Sequence, residues 1–174
     1  MSGQPAARMV LTEMLDDQME SIRTRLGATY GTYARRDARL GGSAYHLGGA
    51  VDAPRTGEAI RAMRDGIEAL RGGKDFDLAF VRARRQIIQR LLGESTVSTE
   101  LAARLGQIAR FGLDPSYNSA LLRQTAALSP AQVRSLVNRE LSPGTEVVVV
   151  LGDRAAVTRA FADAGIKDPA LVEP

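Results

Sequence analysis

Apolar residues recur with a helical period over most of the chain and with a strand period in two places. From Ala6 to Leu26, Met9, Leu15, Met19, Ile22 and Leu26 fall at helical spacing, while Asp16, Asp17 and Glu20 mark a wet side. Gly27 is well placed to end that helix. The pattern then switches to alternation. Ala28, Tyr30, Thr32 and Ala34 share one face of a strand, with Thr29, Gly31, Tyr33 and Arg35 on the other. Ser43, Tyr45, Leu47, Gly49 and Val51 share a face of a second strand. Arg35, Arg36, Asp37, Arg39, Gly41 and Gly42 lie in or near the turn, which is longer than a two-residue hairpin loop and leaves the register open.

Helical periodicity resumes after the break at Asp52-Ala-Pro-Arg-Thr. Thr56 reads as an N-cap for a helix to about Leu70, with Ile60, Met63, Ile67 and Leu70 as its apolar stripe and Gly72-Gly73 as its stop. A helix from Asp75 or Asp77 to Leu92 carries Phe80, Ile87, Ile88, Leu91 and Leu92, with Arg82, Arg84, Arg85 and Arg90 read as a solvated face. Ser98 caps a helix to Phe111, and a short helix spans Tyr117 to Ala127 after the turn at Gly112–Pro115. Ser129-Pro130-Ala131-Gln132 has the residues of a capping box, Ser at N-cap, Pro at N1 and Gln at N3, opening a helix that ends near Leu141. Glu146-Val-Val-Val-Val-Leu151 reads as a strand buried on both faces in mid-sheet, followed by a helix from Arg154 to Ala164 and a loosely held tail from Ile166.

The order predicts an α+β fold, a small, mostly antiparallel sheet packed against several helices. Three strands are few for so many helices, so a missing strand, or one lent by another segment, is expected. The 174 residues, 44% hydrophobic and 25% charged, fit one globular domain over 1–174 that buries roughly two thirds of its unfolded surface. The net charge of +3 is weak support for a nucleic-acid partner. No apolar run is long enough to span a membrane, and the absence of cysteine leaves the compartment open.

Little chemistry is self-contained. His46 is the single histidine; Ser43, three residues away on the same strand, falls on the opposite face, so no Ser-His-Asp arrangement forms locally. A zinc site needs two or three nitrogen or sulfur ligands, and one is present. The glycines at 41–42, 48–49 and 72–73 match neither a P-loop nor a dinucleotide fingerprint. Gly48-Gly49 inside a strand signals a bulge or a close backbone approach. Asp16, Asp17 and Glu20 read as surface. Tyr30, Tyr33 and Tyr45 with Arg35, Arg36 and Arg39 offer a possible stacking platform for bases, against which stands ordinary cross-strand packing beside a basic turn.

The segment Arg23-Thr-Arg-Leu-Gly-Ala-Thr-Tyr30-Gly31 resembles the R-x6-Y motif of pitrilysin-type (insulinase-type) zinc metallopeptidases. The preceding LTEMLDDQMESIR, the following GGSAYHLGGAVDAPRTGEAI, the helix DFDLAFVRARRQI and the close LSPAQVRSLVNRELSPGTEVVVVLGD resemble the same domain in the same order, so the likeness covers Ala6 to Ala164. The resemblance implies the C-terminal, non-zinc domain of such a peptidase, a half-domain lacking its opening strand and a fragment of a longer chain. The family's His-x-x-Glu-His zinc motif is absent, since His46 is followed by Leu47, Gly48, Gly49 and Ala50. The chain is thus expected to hold no metal or cofactor and no catalytic residue. Zinc is expected in a partner domain of the same polypeptide or in a partner subunit. Arg23 and Tyr30 are expected to contact the bound peptide and help stabilise the tetrahedral intermediate. The alternatives are a catalytically inactive scaffold subunit paired with a zinc-bearing chain, and a basic nucleic-acid module.

Overall fold

A computed structural model of the chain describes residues 4–27, 29–39, 42–73, 75–94 and 98–172. In order these form α1 (Pro5–Leu26), β1 (Thr29–Arg39), β2 (Gly42–Val51), a 3-10 turn (Ala53–Arg55), α2 (Thr56–Gly72), α3 (Phe76–Glu94), α4 (Ser98–Phe111), α5 (Tyr117–Ala127), α6 (Pro130–Glu140) and α7 (Arg154–Asp163). The fold class is α+β, with β1 and β2 paired antiparallel. Ala28 and Gly41, assigned above to a strand face and to the turn, lie outside the described residues. The chain gathers into two compact units, Met1–Met14 with Gly73–Glu140 and Leu15–Gly72 with Leu141–Pro174.

In the first unit α1 buries Ala6, Ala7, Val10, Leu11 and Met14. The long apolar stripe of α3 buries Phe76, Phe80, Ala83, Ile87 and Leu91, while α6 buries Val133, Leu136 and Val137. Each large side chain so buried contributes about 1.5–3 kcal/mol. Glu13 lies nearly buried on α1, and Arg90 on α3 answers it at 2.7 Å. The expected capping box is formed: Gln132 Oε1 accepts from the Ser129 N–H at 2.9 Å, and the Gln132 N–H donates to Ser129 Oγ at 3.4 Å.

In the second unit Met19, Ile22 and Leu26 of α1 cluster with Ala59 and Ala62 of α2. Ala34, Leu47 and Val51 pack on that cluster, so this is the inner face of the hairpin. Helix α7 lies on α2 where Gly57 has no side chain; a Cβ there would stand 2.5 Å from Asp163 Cβ and 2.9 Å from the Ala160 carbonyl oxygen. Asp153 caps α7, accepting from the N–H groups of Ala155 and Ala156 at 3.0 Å.

Three expectations are corrected. Thr56 is the first residue of α2 and not its cap, because the 3-10 turn runs directly into the helix. Glu146–Leu151 is not a strand buried in mid-sheet. Val147, Val149 and Leu151 are 85–93% exposed, Val148 and Val150 are half-buried, and no backbone–backbone hydrogen bond joins these residues to another described segment. A valine run favours extended backbone, but it becomes a strand only where a neighbouring edge supplies partners. The third correction concerns the alternation in β1. Tyr30 pairs with Ala50 and Tyr33 with Gly48, so Gly31 and Thr32 together oppose Gly49 in a bulge. Gly31 takes φ +64°, and the extra residue reverses the facing of everything before it. Thr29, opposite Val51, therefore joins Thr32 and Ala34 on the inner side, and Tyr30 does not share their face.

Candidate functional site

Arg23 stands on the last turn of α1, and Tyr30 is the second residue of β1. The helix stops because Gly27 takes φ +63°, its N–H donating to the Arg23 carbonyl at 2.9 Å. Arg55 donates to the Leu26 carbonyl, placing a cation at the negative end of the helix, and is held in turn by Glu58 at 2.9 Å. The end of α1 is therefore fixed in direction before the chain turns into β1.

The Arg23 guanidinium forks onto Glu20 one turn earlier, with Nε donating to Oε2 at 2.8 Å and Nη2 donating to Oε1. That bond holds the Glu20 carboxyl below its ordinary range and raises the Arg23 pKa further. Tyr30 is 86% exposed on the outer face of the hairpin. Both groups are thus open to an incoming molecule, and no hydrogen bond or ring contact joins them to each other.

The outer face carries more than sequence periodicity identified. Tyr33 lies across Gly48, where an added Cβ would meet its hydroxyl at 2.9 Å, and the Arg35 guanidinium stacks 5.4 Å from the Tyr33 ring. His46, exposed, pairs with Arg35 in the ladder. Asp16, read above as a surface carboxylate, accepts from the Ala34 N–H at 2.6 Å and ties β1 to α1. The bulge brings Tyr30 to the side of Tyr33, but alternation along the ladder divides the aromatic-basic platform considered above. Tyr30, Tyr33 and Arg35 face out, while Tyr45 and Arg36, paired in the ladder one position along from Arg35 and His46, belong to the inner side.

A shallow hollow of about 200 Å³ opens at the end of α1, lined by Arg25, Leu26, Glu58, Arg61, Ala62 and Asp65. Its two arginines, two carboxylates and two apolar residues offer mixed charge and no single-sign field. Among the described residues no group of three or more His, Cys, Asp or Glu is arranged to hold a metal ion. With one histidine and no cysteine in the chain, the described residues do not fit a zinc site.

No protein-family model matches the sequence, and no curated protein matches it significantly. The solved structures do give a match. The fold is similar to the crystal structure of a peptidase M16 inactive domain from Pseudomonas fluorescens, with TM-score 0.62 and 20% sequence identity over 79% of this chain. The match spans 34% of that chain, so the present one corresponds to about a third of its length.

Proposed function

We propose that this chain is a substrate-binding, non-catalytic domain of a pitrilysin-type (M16) zinc metalloendopeptidase, closing over a separate zinc-bearing domain during peptide hydrolysis. The observation that carries the reading is the shared fold with a peptidase domain described as inactive. The R-x6-Y segment at the junction of α1 and β1 adds to it. In this reading Arg23 and Tyr30 supply a fixed cation and a phenol donor to a bound peptide carbonyl. Both strengthen their hold as negative charge develops on that oxygen, which is the charge pattern of a tetrahedral intermediate. Glu20 holds the Arg23 guanidinium by a two-point hydrogen bond one turn earlier on α1 and shares it with the incoming carbonyl. A zinc ion held by the partner domain would supply the activated water, while the residues of this chain bind and orient the peptide.

The test is steady-state kinetics on the complete peptidase, whether one polypeptide or a pair of subunits. Arg23→Ala and Tyr30→Phe lower kcat more than they raise KM, because the lost contacts are strongest in the transition state. Unchanged turnover in both variants removes the assigned roles. The purified chain by itself binds no stoichiometric zinc and hydrolyses no peptide; chelator-sensitive hydrolysis by it overturns the reading.

A further inference from the structure

The arginine cluster of α3 does not behave as one solvated face. Arg84 lies 5.1 Å from the Phe80 ring and donates to the Leu128 carbonyl at 3.0 Å, and Arg90 pairs with Glu13. Arg82 and Arg85 are exposed and make no ion pair with any described residue. They stand among large apolar side chains that the fold leaves uncovered: Leu78 is 58%, Val81 49% and Leu92 51% exposed. Leu78, Val81, Arg82, Arg85 and Leu92 fall at helical spacing and form one stripe along α3, about 21 Å from end to end. The opposite side of the same helix is the buried one, with Phe76, Phe80, Ala83, Ile87 and Leu91. The helix is therefore apolar on two sides, and one of them ends in solvent.

We propose that this stripe docks an amphipathic protein helix whose apolar residues lie on Leu78, Val81 and Leu92 and whose carboxylates face Arg82 and Arg85. Charge decides the occupant. The unit bearing the stripe holds eleven Lys or Arg and seven Asp or Glu, so it carries the whole positive excess of the chain. A second copy laid antiparallel across the stripe sets Arg85, at its midpoint, against Arg85, which like-charge repulsion disfavours. Nucleic acid would find two cations but no aromatic ring on the stripe to stack on. Carboxylates placed between apolar anchors meet both features at once.

The probe is a synthetic helical peptide of roughly 20 residues with leucine along one face and glutamate beside it, titrated into the intact chain. Its twin carries lysine in place of glutamate. The glutamate peptide binds about tenfold or more tightly than the twin, and raising salt narrows the gap. The double variant Arg82→Glu/Arg85→Glu reverses the preference, and Val81→Asp weakens the glutamate peptide. All three side chains are exposed, so circular dichroism of the variants matches the parent; if charge reversal perturbs it, Arg82→Gln/Arg85→Gln erases the preference instead. Equal affinity for the two peptides, a preference indifferent to these arginines, or no binding of the glutamate peptide overturns the proposal. So does binding confined to phosphatidylserine vesicles or to an oligonucleotide.

Discussion

Gly31 and Gly106 are both glycines with nothing within 4 Å of the position a Cβ would occupy, yet replacing each with alanine has opposite consequences. Gly106 lies inside α4 in ordinary helical conformation, so alanine there restricts the unfolded chain and stabilises by about 0.5–1 kcal/mol. Gly31 sits at φ +64° in the bulge of β1. An L-residue pays about 1–2 kcal/mol for that backbone region, and the unfolded-state gain of about 0.4–1 kcal/mol offsets only part of it. The net expectation for Gly31→Ala is a loss of about 0.5–1 kcal/mol. For a chain of this size 1 kcal/mol moves Tm by about 2–4 °C, so the two variants fall on opposite sides of the parent in thermal and urea unfolding followed by circular dichroism. Gly31→Asn lies between glycine and alanine because asparagine tolerates the left-handed region, and Gly31→Val is worst. A Gly31→Ala variant as stable as Gly106→Ala refutes the bulge and, with it, the outward facing of Tyr30. Under the function proposed above, the same substitution in the complete peptidase lowers turnover without touching Arg23 or Tyr30.

Val149→Asp changes stability by less than about 0.5 kcal/mol in urea unfolding, since Val149 is exposed, whereas a position in mid-sheet would lose several. Arg90→Ala leaves the nearly buried Glu13 carboxylate unanswered and costs about 1–2 kcal/mol in the same assay, a figure kept below that of a fully buried pair because Arg90 is half exposed. Asp114 accepts from the Ser116 hydroxyl at 2.6 Å and from its N–H at 2.7 Å, and these bonds hold its carboxyl below the ordinary value of 3.8. A depressed folded-state pKa means the stabilisation is complete above the unfolded value and is lost as pH falls through the folded one. Ser116→Ala brings the Asp114 titration, read by carboxyl NMR, back toward the ordinary value and reduces that acid-side loss.

Features written within one or two turns of chain were legible before the fold was known. The Ser129–Gln132 capping box and the stop at Gly27 are examples, because donor, acceptor and backbone conformation all lie within a few residues. Helix α5 begins and ends where turn residues and periodicity predicted. What failed depended on distant partners. Four successive valines state a preference for extended backbone, but whether residues 146–151 pair depends on an edge elsewhere in space, and no described segment pairs with them. Asp16 is wet by periodicity, and nothing nearby in sequence reveals that its carboxylate reaches the Ala34 N–H.

The bulge is the instructive case, because the correct signal was attached to the wrong strand. A glycine pair in β2 suggested a bulge or a close approach, and Gly49 does meet the Thr32 Cα at 3.0 Å, measured from the position of an added Cβ. The inserted residue itself is on β1, at Gly31. Thr29, Tyr30, Thr32 and Tyr33 are all good strand formers, so β-propensity is satisfied with or without the insertion and the local pattern is degenerate. Packing resolves it: Val51 and Leu47 lie on the core cluster, and only a one-residue offset lets both Thr29 and Ala34 face the same way. The candidate site inherits that outcome. Regular alternation would turn Tyr30 inward beside Thr32 and Ala34, out of reach of the peptide proposed above. One glycine in the left-handed region turns its phenol outward to the side where Tyr33 and Arg35 already stand.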